Sequence, residues 1–109
     1  MSLLAVTGAT GFVGRALVAR LASENRAALA IVRNAEARVP GAAQHRVVPG
    51  LEADRAAWKE ALQGVSMVVH LAARAHVMRE AATDPLAEFR RVNVDGTLNL
   101  AQQAVAAGV

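Results

Sequence analysis

Gly8, Gly11 and Gly14 follow one another at intervals of three, directly after the apolar run Leu3-Leu4-Ala5-Val6-Thr7 and before a segment in which Val13, Leu17, Val18 and Leu21 recur at helical spacing. Glycines at a strand-to-helix turn suit one kind of chemistry, the holding of an anion by backbone alone. Gly8 lets the chain turn out of the strand, Gly11 leaves no Cβ where a diphosphate must approach, and Gly14 lets the helix lie against the strand. The first amides of the helix, near Phe12 and Val13, lack carbonyl partners and, with the helix dipole, face the anion. The candidate contacts are Gly8, Thr10, Gly11, Phe12, Val13 and Gly14, and the expected ligand is the pyrophosphate of NAD(P). Three spaced glycines alone are a weak signal; the strand before, the helix after and a second strand ending about 25 residues on supply the context that gives them meaning.

The elements that must hold this turn can be read along the chain. The first strand is a continuous apolar run, as in a parallel sheet buried on both faces. The first helix fades at Ser23-Glu24-Asn25, and Ala27 to Val32 reads as a second buried strand ending at Arg33-Asn34. A weaker strand is expected around Arg46 to Val48, closed by Pro49-Gly50. Asp54 can cap a helix whose apolar positions are Ala57, Trp58, Ala61 and Leu62, with Gly64 as its stop. Met67 to Ala72 reads as the fourth strand. Asp84-Pro85 can start a long helix running to about Ala107, with Phe89, Val92, Leu100 and Val105 as its apolar positions. Alternation of this kind gives an α/β fold with helices on both faces of a parallel sheet. At 109 residues the chain fits one domain, 1–109, and not two.

Composition narrows the function classes. Twelve basic and nine acidic residues give a net charge of +3, but the cations are scattered without aromatic interleaving, so nucleic acid is not an expected partner. Three histidines lack the spacing of a metal pair and there is no cysteine, so no metal site is expected. No run approaches the ~20 apolar residues of a membrane span, and a soluble cytoplasmic protein is the expectation.

The string Val6-Thr7-Gly8-Ala9-Thr10-Gly11-Phe12-Val13-Gly14 resembles the N-terminus of the extended short-chain dehydrogenase/reductases, the NAD-dependent epimerase/dehydratase family acting on nucleotide sugars. Val69-His70-Leu71-Ala72-Ala73 is similar to that family's fourth strand, and Arg91-Val92-Asn93-Val94-Asp95-Gly96-Thr97 to its long helix. The resemblance covers essentially the whole chain and lies nearest the nucleotide-sugar 4-epimerases and 4-keto-sugar reductases. It implies a partial Rossmann-type sheet of about four strands in the order 3-2-1-4. By the same resemblance Leu71, Ala72 and Ala73 would line the wall near the nicotinamide ribose, and Asn93 would be structural support that fixes backbone near the fourth strand. Arg74 or His76 would border the sugar-nucleotide substrate.

Three departures from the family pattern change what is expected. Where NAD-preferring relatives have an acidic residue after the second strand this chain has Arg33-Asn34, which would suit the 2′-phosphate of NADP. The family's Gly-Asp pair after the third strand is here Gly50-Leu51; backbone at Glu52 could replace the lost adenine contact and Leu51 could cover the ring. The family's Tyr-x-x-x-Lys pair has no counterpart: there is no tyrosine, and the single lysine, Lys59, sits on a helix expected on the far side of the sheet from that chemistry. The resemblance therefore implies an N-terminal portion that stops before the fifth strand and lacks the substrate domain. It would have no catalytic residue of its own and no activity alone. Val68, Val69 and Leu71 would lie on an open apolar edge, through which, or through the last helix, the chain would self-associate. A non-catalytic NAD(P) sensor of the same fold is the rival reading.

Overall fold

Unbroken apolar character puts Leu3–Thr7, strand β1, in the middle of the sheet, where both faces must be covered. In the computed structural model, which describes residues 2–74 and 83–109, β1 lies between β2 (Ala27–Val32) and β4 (Val65–His70), and β3 (Gln44–Val47) extends the sheet beyond β2. All pairings are parallel and the order is β3-β2-β1-β4, the Rossmann-type arrangement expected.

Alternation along β1 and β2 divides the core in two. Leu3, Ala5, Leu29 and Ile31 face α2 (Arg55–Ala61) and α4 (Thr97–Ala106), packing with Trp58, Leu62, Val65 and Leu100. Val6, Ala28, Ala30 and Val32 face α1 (Phe12–Ser23), packing with Val18, Leu21 and Val39. Helices thus cover both faces. α1 ends where Asn25 adopts a left-handed φ of 58°, a conformation asparagine tolerates better than most residues. α2 is capped by Asp54, whose Oδ1 accepts from Ala57 N–H at 2.9 Å.

Several boundaries differ from the sequence expectation. β3 begins at Gln44, ahead of the expected Arg46, and β4 runs Val65–His70, so Leu71 and Ala72 lie beyond it. Thr7 stands at this end of the pairing: its carbonyl takes Leu71 N–H in the last rung of the ladder, and its hydroxyl gathers the Leu71 and Ala72 amides just beyond it. Val13 and Val105 were expected to face the core, yet they are 60% and 77% exposed; one sits in the first turn of α1, the other on the outer face of α4. β4 is an edge strand, but Val68 and Leu71 pack against the two cores, and the exposed apolar residue of that strand is Met67.

The long helix expected from Pro85 to Ala107 is not uniform. It comprises α3 (Pro85–Arg90), a wide π turn (Arg91–Gly96) and α4. Each residue advances an α-helix by about 100°, and a π turn accommodates one residue more than an α turn, so it re-phases everything after it. That phase lets Asn93 reach residue 74 and Asn99 the loop before α2, while Thr97 and Leu100 reach the sheet. Gly96 is needed at the closest point, because a Cβ there would come within 2.7 Å of Leu51 Cβ.

Candidate functional site

The glycine turn leaves β1 with Gly8 at φ +67°, a backbone state that side chains disfavour. A Cβ on Gly8 would also lie 2.7 Å from Ala72 N. A Cβ on Gly14 would lie 2.7 Å from Ala9 Cα and closer still to the Gly8 carbonyl oxygen. These two glycines are required by the protein's own packing. Gly11 is different: among the described residues a Cβ there would meet only the Gly8 oxygen, at 3.3 Å, so its missing side chain leaves space on the outer side.

Gly11 is also the N-cap of α1, and no side chain caps that helix. Gly11 N–H bonds to Gly8 O and Arg15 N–H to Gly11 O, which leaves the amides of Phe12, Val13 and Gly14 without an acceptor among the described residues. Among the described residues no side chain bonds to these amides, and Phe12 is 94% exposed and points away from the core. Arg15 folds back so that its Nε donates to Thr10 O at 2.9 Å, adding a cation beside the turn. Bare amides, a helix dipole and a nearby guanidinium together favour an anion.

Beside this corner runs the segment after β4. Leu71 and Ala72 are half-buried and Ala73 is exposed. Thr7 Oγ1 accepts from Leu71 N–H at 3.1 Å and from Ala72 N–H at 3.2 Å, so the hydroxyl ties this wall to the end of β1. Asn93, projecting from the π turn, holds the next stretch: its Oδ1 accepts from Arg74 N–H at 2.8 Å and its Nδ2 donates to Arg74 O at 2.9 Å. The Arg74 guanidinium stacks on Phe89, 4.5 Å from the ring centre. His76, the other residue expected near a substrate, lies outside the described residues.

On the far side of the turn, Arg33 is exposed just past β2 and forms no ion pair with a described residue. Asn34 is used locally, its Oδ1 accepting from Ala37 N–H at 3.0 Å. Leu51 packs against Gly96 and the core, while its carbonyl accepts from Asn99 Nδ2 at 2.8 Å and from Trp58 Nε1 at 3.3 Å. Asn99 also donates to Ala53 O at 2.9 Å, so this loop is clamped from beneath. Glu52 folds its carboxylate over Gly50 and pairs with Arg91 at 3.0 Å, leaving its backbone as the part not held by a side-chain contact. Arg91 also pairs with Glu88, and these bonds hold its guanidinium above the ordinary value, the Glu88 hydrogen bond contributing most.

The sheet therefore brings the glycine turn and residues 71–74 side by side, with Arg33-Asn34 and Leu51-Glu52 at the neighbouring strand ends. Reading by motif missed the side chains that hold these loops: Thr7, His70, Thr97 and Asn99. His70 Nδ1 lies 2.6 Å from Thr7 Oγ1 and its Nε2 lies 3.1 Å from Thr97 Oγ1. Burial lowers its pKa below the ordinary histidine value. The sequence signal for this group was the presence of a histidine in a strand of otherwise apolar residues, a position that needs polar partners.

Comparison with known proteins agrees with this architecture. The model of the NAD dependent epimerase/dehydratase family matches residues 4–109. A UDP-glucose 4-epimerase of Vibrio cholerae is 38% identical over 105 residues, covering 95% of this chain and 31% of the relative. A short-chain dehydrogenase/reductase superfamily protein from Agrobacterium tumefaciens, solved with bound NAD, superposes with a TM-score of 0.73 at 37% identity, over 98% of this chain and 30% of that one. MoeE5 in complex with UDP-glucose and NAD gives a TM-score of 0.76 at 33% identity, over 100% of this chain and 34% of that one. The chain thus spans about a third of the length of the relatives it matches. Among the described residues, no helix is long and apolar enough to cross a membrane and no cluster of side chains is arranged to hold a metal.

Proposed function

This chain belongs to the NAD-dependent epimerase/dehydratase family, and from that premise we propose that it forms the dinucleotide-binding part of an enzyme that moves hydride between a nicotinamide and C4 of a nucleotide sugar. One observation carries the reading: the unpartnered amides of Phe12, Val13 and Gly14 face a space that Gly11 leaves open. The pyrophosphate would sit there, with Gly8, Thr10 and Gly11 around it. The nicotinamide ribose would lie against Leu71, Ala72 and Ala73. Adenine would lie towards Leu51 and the Glu52 backbone, and Arg74 would border the sugar nucleotide. When bound, the cofactor supplies the hydride chemistry; this chain's residues bind, orient and exclude water.

Arg33 supports a preference for NADP, because a cation without an ion-pair partner among the described residues stands where a 2′-phosphate would be met. The 109 residues contain no tyrosine, so the phenol of the family's Tyr-x-x-x-Lys pair is missing from them. The chain alone is accordingly proposed to bind cofactor without turning over substrate. A cytoplasmic setting and self-association through the β4 edge or the outer face of α4, where Leu98 and Val105 are exposed, belong to the same proposal.

Calorimetric titration with NAD and NADP tests it. Saturable binding in the micromolar range is expected, weakened at least tenfold when Gly11 is replaced by Ala; absence of binding by either nucleotide at neutral pH would overturn the reading. A non-catalytic NAD(P) sensor of the same fold is the second reading. It would be supported if a full-length protein bound the cofactor yet gave no change in nicotinamide absorbance with nucleotide sugars.

A further inference from the structure

Thr7 Oγ1 has three polar neighbours and can serve them in only one way. Leu71 N–H and Ala72 N–H can only donate, so they occupy the two lone pairs of the hydroxyl. The hydroxyl proton must then point to the third neighbour, His70 Nδ1, at 2.6 Å. Nδ1 is therefore unprotonated, the imidazole proton is on Nε2, and Nε2 donates to Thr97 Oγ1 at 3.1 Å. One neutral tautomer links the end of β1, the wall after β4 and the first turn of α4.

We propose that His70, neutral and protonated on Nε2, is a positioning residue for the cofactor pocket: by taking the Thr7 hydroxyl proton it aims both Thr7 lone pairs at the Leu71 and Ala72 amides and so fixes the wall against which the dinucleotide rests. This inference rests on the cofactor reading given above. A proton added at Nδ1 would need an acceptor, and Thr7 Oγ1 has none left. One amide must then be released. Leu71 N–H keeps a second acceptor in Thr7 O at 3.2 Å, whereas among the described residues Ala72 N–H has only the hydroxyl, so Ala72 is the group that loosens. Ala72 N also lies against Gly8, where a Cβ would be 2.7 Å away, so the disturbance reaches the glycine turn.

Among the described residues, no compensating charge stands on the elements that contact the imidazole. β1 and α4, the elements that contact it, carry no ionisable side chain, and β4 carries none besides His70 itself. The π turn contributes Arg91 and Asp95, both exposed, and the segment after β4 contributes Arg74. Burial lowers the pKa of His70, consistent with a site built for the neutral ring.

The test combines tautomer, titration and affinity on the whole chain. Nitrogen-15 NMR of the wild-type protein reads the His70 tautomer and its pKa directly, and calorimetry with NAD reads affinity between about pH 7.5 and 5. NAD is used because the 2′-phosphate of NADP would itself titrate near pH 6, as phosphate monoesters do. The expected result is an Nε2–H tautomer and an NAD affinity that breaks at the NMR pKa, approaching a tenfold loss per pH unit below it. His70→Asn keeps an acceptor for the Thr7 hydroxyl and cannot titrate, so its affinity stays flat across the range. His70→Phe binds more weakly at every pH.

An Nδ1–H tautomer, an affinity without a break at the measured pKa, or the same break in His70→Asn would each overturn the role of His70 while leaving cofactor binding intact. Failure of NAD to bind at the neutral end would instead overturn the cofactor reading itself. The wild-type measurements decide the matter even if a variant does not fold.

Discussion

Gly14 stands so close to the Gly8 carbonyl that α1 touches the end of β1 with no side chain between them, whereas a Cβ on Gly11, three residues earlier, would meet just one oxygen among the described residues, at 3.3 Å. The two glycines should therefore answer to different measurements. Gly14→Ala forces α1 off the strand and is expected to lower stability by about 1–3 kcal/mol or more, as overpacking of a close contact does. Gly11→Ala should leave the melting temperature within a few degrees of wild type while weakening NAD(P) binding at least tenfold. Equal melting temperatures for the two variants would remove this distinction.

Asn93 substitutes for a strand partner by bonding both polar groups of the Arg74 backbone. Asn93→Ala loses both bonds and should cost about 1–2 kcal/mol, with faster hydrogen exchange at the Arg74 amide. Asn93→Asp keeps the acceptor but sets a carboxylate oxygen against the Arg74 carbonyl, so it should not restore stability. Recovery by Asp would argue that only the amide bond matters.

Burial of His70 has a consequence for stability as well as for binding. Its folded pKa lies below the ordinary value of about 6.5, so the unfolded chain binds more protons in the window beneath that value. The contribution is complete above about pH 6.5 and is lost as pH falls through the folded pKa. Chemical denaturation at several pH values should show wild-type stability declining in this window more steeply than that of His70→Asn. Parallel curves would assign the decline to carboxylates instead.

Asp54 is the clearest local device in the chain, an N-cap accepting from Ala57 N–H. Asp54→Ala should cost about 1 kcal/mol, and Asp54→Ser much less, because the hydroxyl can accept the same amide. Circular dichroism melts would show it; an Asp54→Ser variant no better than Ala would mean the charge, and not the cap, supports α2.

Arg33 offers a direct test of cofactor choice. Arg33→Glu places a carboxylate where the 2′-phosphate is proposed to lie and should move the NADP-to-NAD affinity ratio at least tenfold towards NAD. An unchanged ratio would put the 2′-phosphate elsewhere.

What the sequence determined by itself was whatever depends on neighbours along the chain. The apolar runs of β1 and β2, the glycine interval at 8, 11 and 14 and the cap at Asp54 all express local geometry, and local geometry is written in consecutive residues. Tertiary structure alone decided where distant groups meet. The sequence places Thr7, His70 and Thr97 in three separate elements, and only the parallel pairing of β1 with β4 and the phase set by the π turn bring them within hydrogen-bond reach. The end of β4 and the break in the long helix were missed for the same reason. Each meets partners far along the chain, Thr7 in one case and Leu51 with Arg74 in the other, and periodicity carries no record of such partners.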